Sequence, residues 1–176
     1  LDGQTNSGAN DAFINKFSAD GEKQWTQLIG SNQEDEGRGI TIGSDGYIYI
    51  IGSTEGDLDG ETNLNNNDPF DWKEDAFICK FSADGEKQWT RLIGSSEDDD
   101  AWAITTGLDG SVYIAGETQG NLDGQTNSGD DDAFISKFSA DGEKQWTKLF
   151  GSSEGDGAGF LTEGLDRSIN FLYGTW

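Results

Sequence analysis

The sequence has no histidine and no methionine, one cysteine, one proline, and only 11 basic side chains against 34 acidic ones. Without histidine, the commonest acid–base catalyst and the commonest transition-metal ligand are both missing. Cys79, standing alone, forms neither an internal disulfide nor a thiolate zinc cluster. No apolar run approaches the roughly 20 residues needed to span a bilayer, and no signal-peptide pattern is visible. A net charge of −23 repels phosphate backbones and anionic lipid surfaces. The expectation is a non-catalytic chain with no nucleic-acid partner and no membrane insertion.

Apolar side chains are also scarce. Leu, Ile, Val and Phe make up 35 of the 176 residues, which with this charge lies at the border of intrinsic disorder. The 11% aromatic content and the regular apolar spacing argue for a folded chain instead. The spacing comes from a repeat. The string DAFI-x-KFSADGEKQWT starts at Asp11, Asp75 and Asp132, with Asn15, Cys79 and Ser136 in the variable slot. Each copy runs on into LIGS or LFGS, at Leu28, Leu92 and Leu149. The second copy holds an insertion around Leu64 to Lys73 that includes Pro69. Three equal structural units within a single domain over 1–176 follow, with boundaries near 1–57, 58–121 and 122–176.

Inside a unit the apolar period is two, so the elements are strands. Tyr47-Ile48-Tyr49-Ile50-Ile51 and Val112-Tyr113-Ile114-Ala115 are short, β-branched and aromatic. Asp20-Gly21, Asp84-Gly85 and Asp141-Gly142 each separate two such runs, as do Asp45-Gly46 and Asp109-Gly110. Asp-Gly between alternating segments is a strong hairpin signal. Each unit therefore holds four strands: A (Gly39 to Gly43), B (Tyr47 to Ser53), C (Ala76 to Ser82) and D (Lys87 to Ile93). Four-stranded units repeating at forty to sixty residues are the mark of β-propeller blades. The run GS-x-x-DD-x-A-x-AI-x-x-x-x-DGS-x-YIAG-x-T, from Gly94 to Thr118, resembles the bacterial SBBP family of β-propeller repeats. The resemblance extends over essentially the whole chain and weakens after Gly157. It implies an all-β propeller of four-stranded antiparallel blades, three blade equivalents per chain.

The repeat is out of phase with the chain. It opens on strands C and D, passes through two complete sets, and closes on A and B, leaving a half-blade at each end. Propellers have four to eight blades. Three units are therefore expected to be part of a longer propeller, to pair as a homodimer completing a six-bladed ring, or to form a three-unit fold.

Successive connections in an up-and-down sheet alternate between its two edges. The tight Asp-Gly turns then share one face, and the acidic D–A and B–C loops share the other. Those loops hold Glu34-Asp35-Glu36, Glu97 to Asp100, Glu154 and Asp156, and also Asp57, Asp59, Asp123 and Asp130 to Asp132. Crowded carboxylates call for a counter-ion, and a hard divalent cation with oxygen ligands supplies one. Asp57-Leu58-Asp59-Gly60-Glu61-Thr62-Asn63 reads D-x-D-G-x-x-N, similar to calcium loops of other propeller repeats. Asp57, Asp59 and Asn63 are candidate Ca2+ ligands, with Asp123 and Asn127 in the third copy; the alternative is ordinary solvated turns.

Trp25, Trp89 and Trp146 recur once per unit and suit packing between blades. Trp72 and Trp102 do not recur, and both are candidate ligand contacts, for instance with a sugar ring. Paired carboxylates also run glycoside hydrolysis, but near-identical acidic loops in every unit suit structure better than one unique site. The expected role is a secreted or cell-surface module for adhesion or surface structure, meeting polysaccharide or surface proteins. The alternative is a glycan-binding propeller.

Overall fold

The computed structural model describes residues 3–64 and 73–175. It is all-β, with twelve strands in chain order. They are β1 (Ala12–Phe17), β2 (Lys23–Ile29), β3 (Asp35–Ile42), β4 (Ile48–Thr54), β5 (Asp75–Phe81) and β6 (Lys87–Ile93). The remaining six are β7 (Asp99–Thr106), β8 (Val112–Thr118), β9 (Asp132–Phe138), β10 (Lys144–Phe150), β11 (Asp156–Glu163) and β12 (Ile169–Thr175). Strands β3–β6 and β7–β10 form four-stranded antiparallel sheets in sequence order, while β1–β2 and β11–β12 form two-stranded ones. Among the described residues no sheet closes on itself. Among the described residues no helix is long and apolar enough to cross a membrane.

The period of two explains why the sheets stack. In β4 every residue is buried, because alternate side chains serve two cores. Ile48 and Ile50 pack with Ala12, Ile14, Ile29 and Phe77, toward β1 and β2. Tyr49 and Ile51 pack with Ala101, Val112, Ile114 and Phe134, toward the next sheet. Each large side chain so buried contributes about 1.5–3 kcal/mol. Cys79 lies inside the first of these cores, and burial pushes its thiol up to about 12, so it is inert packing.

The recurring tryptophans join one sheet to the next. The Trp25 indole donates to the Ala83 carbonyl at 3.2 Å, and Trp89 donates to Ala140 at 3.3 Å. Each ring lies over the glycine of the following Asp-Gly turn, Gly85 or Gly142. Both glycines have positive φ, and a Cβ there would meet the ring at under 3 Å, so no other residue fits. The joint breaks off at the two ends of the stack. Gly21, at the equivalent turn, has nothing within 4 Å of a Cβ, and Trp146 is an exposed large hydrophobic.

Candidate functional site

The two D-x-D-G-type turns are stitched by their own side chains. Leu58 and Leu122 are buried, and Asp59 and Asp123 turn the chain at positive φ just before Gly60 and Gly124. Asp57 accepts from the Asn63 amide at 3.0 Å, and the Asn63 side chain donates to the carbonyls of Thr54 and Lys73. In the third copy Asn121 accepts from the Asn127 amide at 3.0 Å, and the Asn127 side chain donates to Thr118. Asp59 is engaged by other side chains in this arrangement. Its two oxygens take the Lys87 ammonium at 2.7 Å each, and Thr90 donates at 2.5 Å. Asp123 is held the same way by Lys144 and Thr147. In sequence these partners are hidden by the insertion: the KQWT lysine follows its turn aspartate by 28 residues in the second copy and by 21 in the third. Among the described residues no group of three or more Asp, Glu or Cys converges on a metal position.

The acidic loop face is thinner than the sequence suggests, which corrects that expectation. Asp35, Asp99 and Asp156 are buried, as are Asp75 and Asp132. The first three open the strands β3, β7 and β11. Asp35 accepts from the Ser31 amide at 2.6 Å and its hydroxyl at 3.0 Å, and Asp99 and Asp156 repeat this with Ser95 and Ser152. These aspartates therefore close the loops that carry them. Asp75 accepts from the Leu64 amide, and Asp132 from Ser128. One oxygen each of Asp35, Asp75, Asp99 and Asp132 has no hydrogen-bond partner among the described residues. In Asp35, Asp75 and Asp99 burial of the carboxylate favours the protonated acid. Burial pushes Asp75 up to about 7, with the charge of Asp99 adding to it, and pushes Asp99 up to about 6.

A second cluster lies where β3, β7 and β11 pack side by side. Each of these strands carries a bulge at one repeat position, where the register slips past Arg38, Trp102 and Gly159. A bulge re-aims the side chain it holds. The Arg38 guanidinium lies 3.9 Å from the centroid of the Trp102 ring. It also pairs with Asp100 at 3.0 Å, Glu36 at 3.2 Å and Glu74 at 3.5 Å. Burial, then the neighbouring Asp100, holds Glu74 above the usual carboxylate range. Trp102 is 42% exposed, with Glu117, Gly157, Ala158 and Gly159 around an adjoining recess of about 280 Å³. Glu117 is raised by burial, with Asp131 adding to it, while the Trp102 indole, which can only donate, bonds it and draws it back. Trp102, a candidate ligand contact on sequence grounds, lines this recess. Trp72 lies outside the described residues.

The profile of the SBBP beta-propeller repeat matches residues 24–59. The chain is also 31% identical, over 164 residues, to the regulatory protein FlaEY of Caulobacter vibrioides. That alignment takes in 89% of this chain and 17% of the relative, so the chain spans a small part of the relative's length.

Proposed function

We propose that this chain, which carries the SBBP β-propeller repeat, is a non-catalytic propeller module whose open sheets are completed by a second copy of itself. One observation carries this reading: the unpaired edges of β1 and β12 expose side chains whose repeat equivalents are buried. Phe13 is 52% exposed and Phe17 56%, whereas Phe77, Phe81, Phe134 and Phe138 are buried. Strand β12 is largely exposed, while β4 and β8 are almost wholly buried.

The repeat also supplies the register. Ile48 faces Phe81 and Val112 faces Phe138, and a second copy pairing in the same register would set its Phe17 opposite Ile169. Two residues on, Ile50 lies opposite Cys79 and Ile114 opposite Ser136, so the same register would set Phe171 opposite Asn15 of the second copy. The same pairing brings Trp146 of one copy to the open Gly21 turn of the other. Done reciprocally, it gives an isologous ring of six four-stranded blades. The FlaEY relative is named a regulatory protein, and a regulatory role suits binding rather than turnover.

Light scattering tests the ring. The expected mass is twice 19.0 kDa, and Phe13→Lys with Tyr173→Lys should return it to a single chain. Both positions are at least half exposed in one copy, so the double variant keeps its fold. A wild-type monomer ends the proposal.

Such a ring suits adhesion or surface structure outside the cell, with protein or polysaccharide partners. Calcium is the secondary part of this reading. An ion in the Asp57 or Asp123 turns has to displace Lys87 or Lys144, so chelator should leave the melting temperature within about 1 °C. A larger fall on chelation would make the metal structural. Glycan binding is the alternative role, and its strongest support is the exposure of Trp102 beside a recess.

A further inference from the structure

The same repeat position is filled by Arg38, Trp102 and Gly159 in β3, β7 and β11. At the β3–β7 joint, the chain uses this position to hold a cation of its own. The Arg38 guanidinium lies on the Trp102 ring and is ringed by Glu36, Glu74 and Asp100. At the β7–β11 joint, Trp102 is the incoming residue and Gly159 stands where a partner side chain would be. Nothing lies within 4 Å of a Cβ built on Gly159. The space forms the recess of about 280 Å³, walled by Trp102, Glu117, Gly157, Ala158 and Gly159. The wall therefore holds an aromatic ring and a carboxylate, with no basic side chain.

We propose that this recess binds a guanidinium or alkylammonium group between Trp102 and Glu117, an aromatic ring and a carboxylate of the same chemistry that already holds Arg38. A cation over an indole is attracted by the negative ring face, and most strongly where water is partly excluded. Glu117 supplies the charge-assisted hydrogen bond. The net charge of −23 raises the local concentration of any cation, but an isolated negative field does not select for shape. The ring and the carboxylate together do. The inference goes beyond ring closure and does not depend on it, since all the recess residues lie within one chain.

The test follows the Trp102 indole N–H resonance, assigned by its loss in Trp102→Phe. Ethylguanidinium and tetramethylammonium should shift it saturably in the millimolar range. Ethylurea, which matches ethylguanidinium in shape without the charge, should not, nor should sodium at equal ionic strength. Glu117→Gln should weaken ethylguanidinium binding by about tenfold. Gly159→Arg should abolish the response, because an internal guanidinium then fills the recess. The other indole resonances report whether either variant has kept its fold. A peptide with one arginine that binds more tightly than ethylguanidinium identifies a protein side chain as the source; equal binding identifies a free cation. A shift that does not saturate, an equal response to ethylurea, or unchanged binding in a folded Glu117→Gln variant overturns the proposal. Light scattering on the same samples separates this result from the fate of the ring.

Discussion

Trp89→Ala is expected to destabilise the chain by about 3 kcal/mol, the low end of the cost of truncating a core aromatic, because the ring is partly rather than fully buried. Trp146→Ala, at the same repeat position, is expected to cost about 1 kcal/mol or less in a single chain. The residues lie in nearly identical stretches, KQWTRLIG and KQWTKLFG, so local propensity cannot separate them. Their surroundings do. Trp89 bonds Ala140, covers Gly142 and packs against Tyr49, while Trp146 finds Tyr113 but no following turn. Urea unfolding of both variants, at a concentration where the wild type is monomeric, measures the difference. Equal losses would mean that the tryptophans act within their own sheets and not between sheets. Under conditions that favour the ring, the Trp146→Ala penalty should rise toward that of Trp89→Ala.

That contrast also marks how far the sequence could be read. Twelve strands, their hairpin turns and the role of the repeated tryptophans follow from period-two spacing and from Asp-Gly placement. Strand D at Lys87 to Ile93 agrees with β6, and strand C differs from β5 by one residue at each end. Strand A is longer than expected, beginning at Asp35 rather than Gly39. The reason is the Ser31–Asp35 clasp, which ties the loop and lets pairing start opposite Thr54. A loop aspartate looks the same in sequence whether it is solvated or buried. Only the fold reveals that Asp35, Asp75, Asp99, Asp132 and Asp156 lie inside. Repeat spacing aligns Arg38, Trp102 and Gly159, but a sequence does not show a bulge, so nothing in it singles that shared position out as a joint between sheets.

The second large effect is on pH. Asp75 and Asp99 have folded pKa values of about 7 and about 6, both raised by burial from 3.8. A carboxyl with a raised folded pKa binds its proton more tightly when folded than when unfolded. Its contribution is fully present below the unfolded value and is lost as pH rises through the folded one. The chain should therefore be most stable near pH 4–5 and lose stability between there and about pH 7. The slope is roughly 1.4 kcal/mol per pH unit for each extra proton held by the folded state. For a chain of this size the melting temperature should fall by about 5–10 °C from pH 5 to pH 8. Asp75→Asn and Asp99→Asn should each flatten the curve, since an amide is neutral at every pH. Calorimetry across that range decides it. A melting temperature that rises with pH would mean that the two aspartates are ionised in the fold and paired with something not yet seen.

The near-identity of the three DAFI…QWT copies sets a problem of assembly order. Strand β4 pairs with β5 in the same register that β8 uses with β9. The hairpins β1–β2, β5–β6 and β9–β10 are therefore close to interchangeable as partners, and side-chain complementarity alone selects weakly among them. Chain connectivity does the sorting. From the end of β4 at Thr54, the next hairpin begins at Asp75 and the one after at Asp132, a loop nearly four times longer. Each doubling of loop length costs about 0.6 kcal/mol, so the wrong partner is disfavoured by only about 1 kcal/mol while the sheets are still forming. The non-recurring residues at the joints, Arg38 against Trp102 above all, then act as address labels: they tell otherwise equal sheets which neighbour is theirs.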